Sequence, residues 1–486
     1  MYIGPISIIK SENRYPTDGH WVRNWQGSVY CKPTNVIKLD NISQIITMVN
    51  SKSNIRLVGG GHSYSPLICT NDTVAILNFC ETPTWLPNNI IKVDAGCTIE
   101  TIQTFLSANN RVLYGFGGIQ YQTIAGSIMT NLHGPQFKDF SSNVVSMEAV
   151  LANGTTIQII DDLIYWKYSM GMLGIVTSVQ LKTYRLISLE KTVVKTNITN
   201  ALHVLNEQHW GGYIEATWGT QQNHVLLTTF NEAKNESLKY KKSSEISYEF
   251  SFMYDNIMMP MLLLFSTILR NIDVYSMMHK SSSERYSILD AWKIHPGFGF
   301  HSSAYSIPWE NCNDMMKDIK TVTHPHYFAL YIRRLDQMDG YMSMAPVKSC
   351  IIDVSWMDIQ YINNRKQLFE FHSKIEEKMV HYSGHTHWGK FFVSDTKYNV
   401  VPEDFKTYRS AIDPTGKFMN EYTTEIITGQ QNPTRFQSFA IGERANVWRT
   451  FIWITIVTSV ITICIKKHPN KYELLNKNSK VPKIKF

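Results

Sequence analysis

The run Ile55-Arg56-Leu57-Val58-Gly59-Gly60-Gly61-His62-Ser63-Tyr64-Ser65-Pro66 constrains the fold more than any other part of the chain. Ile55 to Val58 reads as a short buried strand, and three glycines end it at once. Glycine has no Cβ and adopts positive φ freely, so a run of glycines lets backbone N–H groups converge on a ligand. A concave array of such groups suits phosphate oxygens. His62 and Ser63 sit at the mouth of that loop, where an imidazole can reach the body of the same ligand. The alternative is a glycine hairpin with an exposed histidine. The pattern is neither the dinucleotide G-x-G-x-x-G nor the P-loop G-x-x-x-x-G-K-[ST].

The rest of the chain raises the ligand-binding reading. Gly115-Phe116-Gly117-Gly118, Thr123-Ile124-Ala125-Gly126-Ser127 and Asn131-Leu132-His133-Gly134 follow one another closely. They form either a set of tight hairpins or a backbone cradle for a flat, polyanionic group. Leu173-Gly174-Ile175 comes next, then His385-Thr386-His387-Trp388-Gly389-Lys390, then Asp413-Pro414-Thr415-Gly416-Lys417-Phe418-Met419-Asn420. The histidines at i, i+2 have no carboxylate or cysteine neighbours that would make a zinc site, and no metal is expected. Between these motifs the spacing predicts helices over 42–49, 98–106 and 365–380. Thr98 is the N-cap of the second. Strands are expected at 55–58, 74–79, 90–93, 178–184 and 225–230, with a hairpin around Asn153-Gly154. Met258 to Ile272 reads as a buried or amphipathic helix.

The ordered set G-G-G-H-S, T-x-x-G, L-G-I, H-W-G-K and D-P-T-G resembles the vanillyl-alcohol-oxidase-type FAD flavoproteins. The likeness is nearest to their L-gulonolactone, D-arabinono-1,4-lactone and alditol oxidase branch, and it covers most of residues 20–186 plus the later motifs. It implies an α+β fold. A PCMH-type FAD-binding domain of two α/β subdomains spans 1–186, and a substrate-binding cap with an antiparallel sheet spans 187–380. A segment over 381–440 returns to the flavin. It implies one FAD held by Gly59, Gly60, Gly61, His62, Ser63, Gly117, Gly118, Thr123, Gly126, Ser127, His133, Gly174, Ile175, His387 and Lys390, with His62 as the covalent attachment point. A second, cysteinyl bond is not expected, because Met170 to Gly174 contains no cysteine.

The implied reaction is oxidation of a CH–OH group of a lactone, alditol or similar polyol, with dioxygen or another acceptor reoxidising the flavin. Lys390 is the candidate cation that stabilises negative charge on the flavin, and Arg333 the candidate substrate ligand. In this branch the strand of Tyr331-Ile332-Arg333 reads E-x-R, so Tyr331 stands where a glutamate is expected. That departure predicts altered specificity. Two other readings remain open: a membrane-associated dehydrogenase or reductase of a lipid-linked or sterol substrate, and a non-catalytic flavoprotein scaffold.

Composition bounds the partners. The 486 residues carry a net charge of +7, much of it in Lys466, Lys467, Lys471, Lys477, Lys480, Lys483 and Lys485. The body is therefore nearly neutral, which argues against nucleic acid as its main partner. The 7 cysteines are scattered without a C-x-x-C pair, which points away from zinc and away from a disulfide framework. Met1 to Lys10 is too short an apolar run for a signal peptide. Thr450 to Ile465 is apolar and uncharged; extended back to Val447 and flanked by Trp448, Lys466 and Lys467, it predicts a transmembrane helix over 447–465 followed by a basic tail over 466–486. The expected location is thus a membrane, spanned once near the C-terminus.

Overall fold

The computed structural model describes residues 21–25, 29–217, 224–233, 240–241, 282–289, 300–322, 329–357, 365–393 and 400–430. The expected helix at 258–272, the membrane segment at 447–465 and the basic tail lie outside the described residues. Among the described residues no helix is long and apolar enough to cross a membrane.

The fold is mixed α/β. A small parallel sheet orders the strands Asn35–Leu39, Thr73–Leu77 and Ile55–Leu57. Parallel neighbours need a crossover, and the helix Ile42–Ser51 supplies it, burying Ile45, Met48 and Val49 along one face. Asn41 caps that helix by accepting from the Gln44 amide. A five-stranded sheet follows, in the order Thr156–Ile159, Val144–Val150, Ile175–Lys182, Ile90–Asp94, Thr84–Leu86. The hairpin around Asn153-Gly154 closes as expected, with Gly154 at φ +81°. Thr98 caps the helix Ile99–Ala108 by accepting from the Thr101 amide, also as expected.

Among the described residues the largest sheet has nine strands and is antiparallel apart from one edge pair. Its centre pairs Gly211–Thr217 with Ala329–Leu335, Ala329–Leu335 with Ser349–Met357, and Ser349–Met357 with Phe300–Pro308. The helix Arg365–His381 contacts Phe300–Pro308. The core is continuous through all of these elements, from Ile45 through Val150 to Trp356 and Phe418.

One sequence expectation is corrected. The six cysteines among the described residues are all paired: Cys31–Cys69, Cys80–Cys97 and Cys312–Cys350, with Cα–Cα distances of 5.6, 4.9 and 5.7 Å. These distances lie within the ordinary range for a disulfide. The partners are separated by 38, 17 and 38 residues. The fold brings them together, and spacing along the chain carries no trace of that.

Candidate active site

The glycine run folds as a tight corner. The Val58 amide donates to Ala75 O, and the chain then turns away from the parallel sheet. Gly61 takes φ +64°, which a residue with a Cβ enters only at a cost. A Cβ on Gly59 would run into the Thr123 hydroxyl, and one on Gly60 would lie 2.7 Å from Tyr121 O. The first glycine loop therefore packs backbone to backbone against the second. Thr123 caps the helix Ile124–Met129 by accepting from the Gly126 amide.

The C-terminal motifs close on the same loop. The Tyr64 amide donates to Gly389 O at 2.7 Å, and the His387 amide donates to Ala304 O at 2.9 Å. Asp413 organises its turn by accepting from the Lys417 and Phe418 amides. Asn420 then donates to the carbonyls of Pro66, Leu67 and Cys69.

These segments enclose a cavity with about 1630 Å³ of atom-free space, part of it open to solvent. Gly59, Gly60, Gly61, His62, Ser63, Gly117, Gly118, Thr123, Gly126, His133, Gly174, Arg333, His387 and Lys390 line it. Three candidates from the sequence do not. Ser127 is buried and donates its hydroxyl to Thr123 O. Ile175 begins the Ile175–Lys182 strand with its side chain in the core. Its neighbours Gly174 and Val176 face the cavity instead, as alternation along a strand requires. Tyr331 lies half-buried beside the cavity, with its ring 6.4 Å from that of Tyr213.

The charges gather at one end. Arg333 Nη2 lies 2.6 Å from Asp353 Oδ2, and Lys390 Nζ lies 4.0 Å from Asp353 Oδ1. Lys390 also donates to Ser302 Oγ at 3.1 Å and sits 5.4 Å above the Tyr64 ring. Burial pulls the Lys390 ammonium below its ordinary pKa, while Asp353 works to hold it up. His133 lies with its ring 5.5 Å from that of His387. Burial, aided by Arg333, brings the His133 pKa down to about 4. His387 is also pulled down by burial, and its Nδ1 accepts from the Gly389 amide. Both rings are therefore neutral at neutral pH. Burial likewise lowers His62 to about 4.

Sequence reasoning missed two charged cavity residues. Arg56 is 2% exposed and donates to Leu67 O, Phe418 O and Met170 O. Asp353 is also 2% exposed. Each is a lone charge within an otherwise apolar strand. That was the available signal, because a charge is almost never fully buried without a partner.

Two observations bear on whether a flavin dinucleotide fits. Gly59 and Gly60 have no room for a side chain against Thr123 and Tyr121, and both line the cavity as bare backbone. His62 Nδ1 is buried and has no hydrogen-bond partner among the described residues, so it is free to meet a bound group. The residues fit FAD.

The fold points the same way. A cholesterol oxidase from B. sterolicum superposes with a TM-score of 0.68 over 83% of this chain and 96% of its own, at 13% identity. That likeness concerns the fold alone. Residues 30–159 match the FAD binding domain family. Fold and site together are those of an FAD-dependent oxidoreductase. Residues 179–426 match the D-arabinono-1,4-lactone oxidase family, and the chain belongs to it. Relatives include an L-gulono-1,4-lactone dehydrogenase of Mycobacterium tuberculosis, 21% identical over 83% of this chain and 98% of its own. The mouse L-gulonolactone oxidase is also 21% identical, over 84% and 97%. A D-arabinono-1,4-lactone oxidase of Candida albicans is 27% identical over 43% and 42%.

Proposed function

We propose that the protein oxidises a CH–OH group of a sugar-derived lactone or a closely similar polyol, with FAD attached through His62. The observation that carries the reading is the end of the cavity where Arg333, Lys390 and Asp353 converge. Bound FAD supplies the hydride acceptor for the carbon that becomes a carbonyl. Arg333 is a fork of donors suited to the oxygens of a polyhydroxylated substrate. Lys390 supplies fixed positive charge on the cavity wall, and preorganised charge of that kind stabilises negative charge developing beside it. His62, held neutral and without a partner on Nδ1, has a lone pair available for bond formation to the cofactor. The glycine walls take the phosphates.

The experiment is turnover of a panel of L-gulono-, L-galactono- and D-arabinono-lactones and alditols, with dioxygen and with an artificial dye as acceptors. Turnover of at least one lactone supports the reading, and the preferred acceptor separates oxidase from dehydrogenase. A protein that oxidises no member with either acceptor defeats it. Acid precipitation tests the attachment. A yellow pellet that turns colourless in His62→Ala supports the bond, whereas a colourless wild-type pellet refutes it and leaves FAD binding intact.

We further propose that 447–465 anchors the protein in a membrane. The lysine-rich tail favours the cytosol by the positive-inside tendency, whereas late insertion of a C-terminal segment favours a cytosolic body, and the two arguments oppose each other. The three cysteine pairs suit an oxidising environment.

A further inference from the structure

Asp353 stands within the Ser349–Met357 strand and lines the cavity. It pairs with Arg333, with Lys390 farther off. Yet neither carboxylate oxygen has a hydrogen-bond partner of good geometry among the described residues. A buried polar atom in that condition calls for an explanation. An ionised carboxylate is acceptor-only and has about four lone-pair sites, so ligand hydroxyls can be received.

The strand register gives the position meaning. Asp353 is aligned directly opposite Tyr331. Directly opposed residues share a face of the sheet. Arg333, two positions along from Tyr331, shares it as well. Of this pair, Tyr331 does not reach the cavity and Asp353 does.

We propose that Asp353 is the substrate-orienting carboxylate of this site: it accepts hydrogen bonds from hydroxyls of a polyhydroxylated, uncharged substrate while Arg333 donates to an oxygen of the same molecule. The acid sought at Tyr331 is thus supplied from the neighbouring strand. The inference rests on reading the cavity as that of a sugar-lactone oxidoreductase. Burial works against ionisation of Asp353, but Arg333 and Lys390 outweigh it and hold the pKa below the ordinary carboxylate value, so the group is an acceptor at neutral pH.

The test uses the full-length holoprotein with Asp353→Asn, Asp353→Glu and Tyr331→Phe, after FAD content is matched by absorbance. The first arm titrates sulfite, a small anion that adds to oxidised flavin and bleaches it. Removing one negative charge beside two cations should tighten sulfite binding roughly tenfold in Asp353→Asn, the scale of one neighbouring charge. An unchanged sulfite affinity would mean that the carboxylate does not face the flavin, and overturns the proposal. The second arm measures kcat and KM on the lactone panel. Loss of a hydrogen bond to a charged acceptor should lower kcat/KM by roughly 10- to 100-fold. Asp353→Glu should recover part of it, and Tyr331→Phe should behave as wild type. Wild-type kcat/KM in Asp353→Asn overturns the proposal while leaving the functional reading intact. A wild-type enzyme inactive on the whole panel defeats the functional reading, and the substrate assigned to Asp353 falls with it. The sulfite arm then still decides whether the residue faces the flavin.

Discussion

Lys390 is held by three different contacts: the Ser302 hydroxyl, the Tyr64 ring and the Asp353 carboxylate. Such a preorganised cation needs no rearrangement when negative charge develops beside it. Lys390→Met should therefore slow flavin reduction by about 10²–10³-fold, the usual cost of one such contact, while FAD content stays near normal. Rapid-mixing absorbance reads both quantities, and a wild-type rate would make Lys390 structural. Lys390, His62 and the glycines were legible in the sequence because each belongs to a short motif whose chemistry is local. Asp353 was not. Its meaning depends on the register between two strands separated by the segment 336–348, and no window along the chain contains both partners. The role expected of Tyr331 has the same physical basis. Alternation correctly places it on the face of Arg333, but alternation does not say how far along that face the cavity extends.

Arg56 joins three elements. From the Ile55–Leu57 strand its guanidinium donates to the carbonyl of Leu67, to that of Phe418 after the Asp413 turn, and to that of Met170 before the L-G-I segment. Burial lowers its pKa to about 10, so it remains charged at neutral pH. Hydrogen bonds involving a charged group contribute about 1.5–3 kcal/mol each. Arg56→Met leaves three carbonyls without this donor, and should lower stability to urea by about 3 kcal/mol or more with FAD bound more weakly. A shift in midpoint too small to distinguish from wild type would contradict this role. The helices and strands around it were largely legible, since the helix over 42–49 follows apolar spacing and Thr98 caps where capping chemistry predicts. The disulfides were not, because pairing is a property of the folded arrangement: Cys312 opens the Cys312–Thr321 helix and Cys350 lies in a sheet strand.

At the scale of the whole molecule, the three larger sheets of the described residues share one core, and the cavity lies where the first glycine loop, the second and the H-W-G-K segment meet. Every described residue of that cavity precedes the apolar C-terminal segment. Truncation after Glu443 should consequently give a yellow protein that stays in the supernatant after high-speed centrifugation. Persistent pelleting of that truncation with membranes would refute the anchor, and a colourless truncation would show that the cavity needs the removed segment. The central question is whether this cavity holds a flavin that a sugar lactone reduces. The most direct measurement is an anaerobic titration of the full-length holoprotein with the lactone panel, followed in the visible spectrum. The oxidised-flavin band should bleach with at least one lactone at a rate that saturates with its concentration, and return when an acceptor is admitted. A band that stays intact with every lactone at high concentration, in protein whose flavin is still reduced by dithionite, would contradict it.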